Sequence, residues 1–228
     1  MKAKNKLFLC ATLFLSALCL NAQDSPWAIR IKAGAGLSNV YVSANDKLDS
    51  DMKLGYQAGA YVDYTLPNNL FFQSGLIFET KGAKYEQNPQ YNYFDYGYNS
   101  SYADVSVWQN EKVSINSIYL QVPLYVGYKF EVADNLSVYF SGGPYFAYGI
   151  GGKATIETSL NGEKEKNKVD VFGDEAWKRF DAGFSLLLGV ERKRFSFNAG
   201  YDFGMVNVDR QYDVYNRNLF VNVGYRVF

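Results

Sequence analysis

The chain has 228 residues, 23 Lys and Arg against 23 Asp and Glu, no His, two Cys, and an aromatic share of 18% that includes 20 Tyr and 17 Phe. Zero net charge gives nucleic acid no basic footprint to bind, and the lack of His removes the commonest general base and metal ligand. Both cysteines, Cys10 and Cys19, lie within the first 20 residues, so the remainder offers no disulfide, thiol nucleophile or thiolate metal site.

Lys2, Lys4 and Lys6 precede the apolar run Leu7–Leu20, which is followed by Asn21-Ala22-Gln23. That order is the pattern of a secretory signal peptide, with cleavage expected after Ala22. The run is shorter than the ~20 residues a membrane-spanning helix needs. Cys19 follows Ser16-Ala17-Leu18, which is not the Leu-small-small-Cys arrangement of lipid anchoring. Residues 1–22 are therefore expected as signal and 23–228 as one exported domain, whose net charge after loss of the three lysines is −3. No later apolar run approaches 18 residues, so any membrane insertion must use strands.

Trp27–Leu37 alternates, with Trp27, Ile29, Ile31, Ala33, Ala35 and Leu37 on one face and Arg30, Lys32, Gly34 and Gly36 on the other. The polar stretch Ser43–Asp51 follows. Leu54–Leu66 sets Tyr56, Val62 and Tyr64 against Lys53, Gln57 and Asp63, and Pro67-Asn68-Asn69 reads as a tight turn. Leu70–Glu79 follows at once, with Phe72, Leu76 and Phe78 opposed to Gln73, Gly75 and Glu79. After a long connection, about Lys81–Lys112, Ile118–Phe130 places Leu120, Val122 and Leu124 against Gln121, Tyr125 and Lys129.

Glu131–Asn135 is a short turn. Leu136–Ile150 resumes the alternation, with a bulge or local distortion expected at Pro144, which cannot donate a ladder bond. A polar connection, Gly151–Arg179, contains Glu163-Lys164-Glu165-Lys166 and reads as solvated and mobile. Phe180–Glu191 and Phe195–Met205, joined by Arg192-Lys193-Arg194, set Asp181, Glu191 and Asp202 opposite their apolar faces. A connection of moderate length, about Asn207–Arg217, leads into Leu219–Phe228.

Eight strands result, with connections alternating long and short. This is the rhythm of an up-and-down outer-membrane β-barrel with short periplasmic turns and longer external loops. A lipocalin-like soluble barrel also has eight strands, but its outward faces would be well hydrated. Here the second faces are dense in Gly, which suits a narrow lumen and weakens a solvated strand. Trp27, Tyr64, Phe72, Tyr128, Phe195 and Tyr225 near the short turns, and Tyr56, Phe78, Tyr148 and Phe203 near the long loops, form two aromatic belts. The fold expected is all-β, an eight-stranded antiparallel up-and-down transmembrane β-barrel over residues 23–228 in the bacterial outer membrane.

The second faces carry Arg30, Lys32, Lys53, Lys129 and Arg226 against Asp63, Glu79, Asp181, Glu191 and Asp202. Eight strands leave room only for side chains, so these ten are expected to pair in a filled lumen. The rival reading is a path or small polar site for solutes or ions. No catalytic, cofactor or metal residues emerge. Without His, the Ser or acid dyads of membrane acyltransferases, deacylases and proteases are excluded, and an Asp181–Asp202 carboxylate pair is better matched to Arg or Lys. Gly142-Gly143-Pro144 and Gly149–Gly152 lack the Lys-Ser/Thr and helix of a phosphate loop. The sequon Asn99-Ser100-Ser101 carries no weight in a bacterial barrel.

The second external loop interleaves Tyr85, Tyr91, Tyr93, Phe94, Tyr96, Tyr98, Tyr102 and Trp108 with Asn, Gln, Ser and Gly. That composition suits an adaptable binding surface with aromatic anchors, or rings packed over the barrel mouth. Partners expected are outer-membrane lipid, the outer-membrane insertion machinery, and an extracellular or periplasmic protein.

Tyr119-Leu120-Gln121-Val122-Pro123-Leu124, Ser141-Gly142-Gly143-Pro144-Tyr145, Asp181-Ala182-Gly183, Gly224-Tyr225-Arg226 and the Ala-Gln signal ending resemble the PorT-like outer-membrane β-barrel family of Bacteroidetes. The resemblance covers nearly the whole mature chain. It implies an eight-stranded outer-membrane barrel, mostly of unassigned function, with one named member tied to a secretion and gliding apparatus; that role does not transfer on fold likeness. The terminal strand is paired, on this reading, with Ile29–Leu37. Phe228 falls out of phase with Val221, Val223 and Tyr225, so either a bulge near Arg226 restores the phase, or Val227 ends the lipid face and Phe228 caps the rim.

Overall fold

The computed structural model describes residues 25–43, 50–87, 90–92, 106–160, 163–173, 177–210 and 212–228, and the expected signal segment lies outside them. Eleven strands form among the described residues: β1 (Trp27–Val42), β2 (Lys53–Thr65), β3 (Leu70–Lys81), β4 (Lys84–Gln87), β5 (Gln90–Asn92), β6 (Ser106–Ala133), β7 (Leu136–Leu160), β8 (Glu163–Asp170), β9 (Phe180–Arg192), β10 (Phe195–Gly204) and β11 (Val214–Arg226). Eight of them, β1, β2, β3, β6, β7, β9, β10 and β11, pair antiparallel in a ring, and β11 closes on β1 from Arg30↔Arg226 to Val42↔Val214. Closure leaves no unpaired backbone edge in the hydrocarbon, where each unpaired group would cost several kcal/mol.

The apolar faces point out. Ile31, Leu76, Phe140, Leu188 and Val223 are among the exposed large hydrophobics, Leu188 at 65%. Trp27, Phe195 and Tyr225 are exposed near the short turns, Tyr56 and Tyr148 near the long loops. Burial is inverted relative to a soluble protein, because lipid covers the outer wall and polar side chains occupy the core. Rings fill the lumen by lying over glycines. A Cβ on Gly189 would sit 2.3 Å from Tyr139 Cζ, one on Gly127 2.4 Å from Phe71 Cζ, and one on Gly200 2.5 Å from Phe220 Cζ.

The short turns place Asn69, Asn135 and Lys193 in the left-handed region, with φ of 64°, 60° and 56°. Asn tolerates that conformation better than Lys does.

Two expectations are corrected, and the one at Pro144 is met as a local distortion rather than a bulge. The strand signal stops at Ile118 and Ile150, yet β6 and β7 run on together well past the barrel, Gln109 reaching Leu160. The connection read as solvated and mobile is in part a hairpin, with β8 paired to β7 from Lys153↔Asp170 to Leu160↔Glu163. Alternation there carries little apolar contrast, but Ala154 and Ile156 on one side and the Glu157–Lys166 pair on the other keep it in register. Pro144 interrupts the ladder to β6 without shifting its register; the nearby shift falls between Ile118 and Tyr119, where β7 takes one extra residue, Ile150.

The C-terminal phase is restored by a bulge. Val227 N–H and Phe228 N–H both donate to Ile29 O, at 2.8 and 3.4 Å, while Ile29 N–H donates to Phe228 O at 3.1 Å. Two residues opposite one is the hydrogen-bond pattern of a β-bulge.

Candidate functional site: the lumen and its mouth

At the short-turn end, β1 delivers Arg30 and Lys32 inward, β2 Asp63, β3 Gln73, β6 Lys129 and β9 Glu191. Arg30 Nε pairs with Asp63 Oδ2, and Arg30 Nη2 lies 2.9 Å from Glu191 Oε2. Lys129 Nζ approaches the same oxygen at 3.0 Å, and Arg226 reaches Glu191 Oε1 at 3.7 Å from the rim. Gln73 donates to Asp63 Oδ1 at 2.5 Å and accepts from Lys32 Nζ at 2.9 Å. Lys32 also lies over the Tyr61 ring, 4.3 Å from its centroid. Two carboxylates thus pair with three cations, and Lys32 is tied to Asp63 through Gln73.

Nearer the loops the balance reverses. Lys81 Nζ lies 2.9 Å from Glu79 Oε1 and 3.3 Å from Asp181 Oδ2, donates to Gln121 at 3.1 Å, and sits 4.4 Å from the Tyr145 ring centroid. Asn216 Nδ2 donates to Asp181 Oδ2 at 3.0 Å. Asp202 accepts from Ser185 at 2.6 Å, and Ser185 in turn from Tyr125 at 2.9 Å. Lys81 side-chain exposure is 0%. The sequence pattern places Lys81 in the long connection, whereas β3 runs on to it, one inward position past Glu79.

Lys53 stands apart from both groups. Its Nζ donates to Ser114 Oγ at 3.1 Å and to Ile115 O at 2.8 Å, at the top of the wall. The structure therefore gathers nine of the ten luminal candidates into the two groups and leaves Lys53 at the mouth.

An apolar cluster closes over the mouth. Val171, Phe172, Trp177 and Val208, from segments that read as polar connections, pack with Val40, Ala83, Tyr119, Tyr145 and Val214; Tyr85, Ile115 and Ala154 lean on them from the extended strands. Phe172 meets Tyr119 edge-on at 5.7 Å and fills the space over Gly149. The signal available in sequence was a Val-Phe pair and a Trp stranded among charges. Of the candidate loop surface, Tyr91 lies in β5 and Trp108 in β6, their neighbours paired as Gln90↔Trp108 and Tyr91↔Val107. Tyr93, Phe94, Tyr96, Tyr98 and Tyr102 lie outside the described residues.

On the outer wall at the short-turn end, Arg192, Lys193, Arg194, Phe195 and Tyr225 line a shallow groove of about 420 Å³. Among the described residues no group of three or more Asp, Glu, His or Cys is arranged to hold a metal ion.

Several solved barrels align with the chain. Neisserial surface protein A aligns at 14% identity over 87% of this chain and 96% of its own, with a TM-score of 0.40. Ail of Yersinia pestis, solved with the heparin analogue sucrose octasulfate, aligns at 17% over 88% and 98%, with a TM-score of 0.34. The N-terminal barrel domain of Pseudomonas aeruginosa OprF aligns at 11% over 86% and 96%, with a TM-score of 0.32. No curated protein matches. The family profile described as outer membrane protein beta-barrel domain matches residues 21–210, a span that takes in seven of the eight wall strands, and the chain belongs to that outer-membrane family.

Proposed function

We propose that this protein is a non-enzymatic outer-membrane barrel that acts through its extracellular face, in adhesion, partner binding or envelope structure. One observation carries the reading: the lumen is filled by paired charges and rings, and the Phe172–Trp177 cluster covers its mouth, so the polar interior is used for internal pairing. What projects beyond the wall is a sheet of β4 to β8, in which β5 and β6 carry the positions of Tyr91 and Trp108. A second reading is an accessory subunit of a secretion apparatus whose contacts would be made by the periplasmic turns; the resemblance to PorT-like proteins raises that role and does not by itself carry it. Residues 1–22 act as the cleaved signal in either reading, and the insertion machinery is the partner both require.

Planar-bilayer recording tests the filled lumen against passive passage of small solutes or ions. No stable conductance is expected. A stable conductance altered by Asp181→Asn or Lys129→Met would overturn the reading. Cross-linking from the turns around Asn69, Asn135 and Lys193 tests the secretion role.

A further inference from the structure

Above the membrane the wall continues as a sheet with two unlike sides. The inner side is identified by packing: Tyr85, Ile115 and Ala154 lean on the mouth cluster. Register then assigns the other side. Lys84 pairs with Ser114, Ser114 with Thr155 and Thr155 with Lys168; Lys112 pairs with Glu157 and Glu157 with Lys166; Lys153 pairs with Asp170, and Ser159 with Lys164. All of these positions share the face opposite Ile115 and Ala154, which continues the lipid-facing surface of the wall below.

That outward face carries Lys84, Lys112, Lys153, Lys164, Lys166 and Lys168, all exposed. The acids described there are fewer: Asp51, bridged opposite Lys84, with Glu157 and Asp170. Glu157 accepts from Lys166 at 2.6 Å, and Asp170 Oδ1 accepts the Phe172 N–H at 2.8 Å. The alternating Glu-Lys sequence of β8 sends its lysines to this side and Glu165 to the other.

Height decides what the lysines meet. Ile150 is still exposed on the lipid wall, and Lys153 follows three residues later. At about 3.3 Å per residue and a strand tilt near 40°, the lysine rows stand roughly 8 to 23 Å above Ile150. That is the layer of headgroups and sugars at the outer surface. Lys164, Lys166 and Lys168 recur about 7 Å apart along β8, and Arg217, stacked 5.5 Å from the outward Tyr41 ring, marks the same rim on the far wall.

We propose that the outward face of the β6–β7–β8 sheet docks the phosphorylated headgroups of the outer-leaflet glycolipid, lipopolysaccharide. Clustered ammonium groups beside a membrane attract anionic headgroups additively, and Lys binds phosphate as a point charge without needing a fixed fork. This does not rest on the filled lumen, and it stands whether or not the barrel conducts.

The test uses the full mature protein in detergent, with phosphorylated rough lipopolysaccharide, its dephosphorylated form and heparin as probes. Lys153, Lys166 and Lys168 are replaced together by Gln, with Lys193→Gln at the opposite end as control. All three sites are exposed, and heat-modifiable migration in SDS gels verifies that each variant folds. The triple variant is expected to bind phosphorylated lipopolysaccharide on the order of 100-fold more weakly, the control to match wild type, and the difference to vanish with the dephosphorylated form. Undiminished binding by the triple variant, equal wild-type affinity for both lipopolysaccharides, or tighter binding of heparin would overturn the proposal.

Discussion

Replacing Lys81 by Met removes a single cation from the buried centre of the barrel. The ammonium is fully buried and shared between Glu79 at 2.9 Å and Asp181 at 3.3 Å, with Asp202 held separately by Ser185 and Asn218. Methionine nearly conserves the volume, so the loss is electrostatic rather than a cavity. Breaking a buried pair by removing one partner costs about 3–5 kcal/mol, because the remaining charge stays buried without compensation. Here two carboxylates lose their only shared ammonium, which puts the expectation at the upper end of that range. An exposed pair such as Lys166–Glu157, with side chains 59% and 36% exposed, contributes far less, because water screens both charges. Guanidinium unfolding of the barrel in lipid vesicles, followed by tryptophan fluorescence, measures the difference. The triple change Lys81→Met, Glu79→Gln, Asp181→Asn should recover most of the loss, because it leaves no uncompensated charge. A Lys81→Met loss no larger than that of Lys166→Met would refute the reasoning and mean that the luminal charges are solvated.

Glu157 lies beyond the membrane, and its carboxyl titrates below the usual carboxylate range, chiefly through the hydrogen bond from Lys166 and then through the charges of Lys166, Lys164 and Lys112. The pair's contribution is therefore present above the ordinary carboxylate pKa and lost as pH falls through Glu157's lowered one; an NMR titration should show Lys166→Met returning Glu157 toward its ordinary value. Trp177→Ala empties the centre of the mouth cluster and should cost about 3–5 kcal/mol, measured by the same unfolding assay, with hydrogen exchange rising first around Phe172 and Val208. Gly189→Val puts carbon where the Tyr139 ring lies and should cost about 1–3 kcal/mol by overpacking; Tyr139→Ala in the same chain should relieve part of it, and strict additivity would argue against the ring-on-glycine contact.

The wall was legible because lipid enforces a simple code. Each strand crossing hydrocarbon must keep one face apolar without interruption, as Leu186, Leu188 and Val190 do in β9, and Gly or a polar residue then marks the other. Above the membrane the code lapses. Thr155, Glu157 and Ser159 alternate with Ala154, Ile156 and Thr158, a contrast too weak to read as strand, although hairpin pairing extends β7 to Leu160. The luminal network was legible in membership and not in wiring, since which carboxylate meets which cation depends on strand stagger. Glu191 serves three cations from three other strands, and no local pattern records that. Lys81 and Trp177 were missed for one reason. Both sit just past the last lipid-facing residue of a wall strand or outside the wall, where outward hydrophobicity no longer announces an inward partner.

The distribution of luminal charge along the chain bears on how the barrel assembles. The first four wall strands bring Arg30, Lys32, Lys81 and Lys129 inward against Asp63 and Glu79, and the last four bring Asp181, Glu191 and Asp202 against Arg226. Each half carries an excess of opposite sign, and neither is neutral alone. Arg30 finds Glu191, and Lys81 finds Asp181, only when the halves face each other across the interior. A curled half-sheet is thus left with uncompensated charge, two copies of the same half repel, and the complete ring is the first species in which both excesses cancel. Closure at the β1–β11 seam and electrical neutrality become a single cooperative event, which selects the complete eight-stranded ring over partial barrels and over rings built from two like halves.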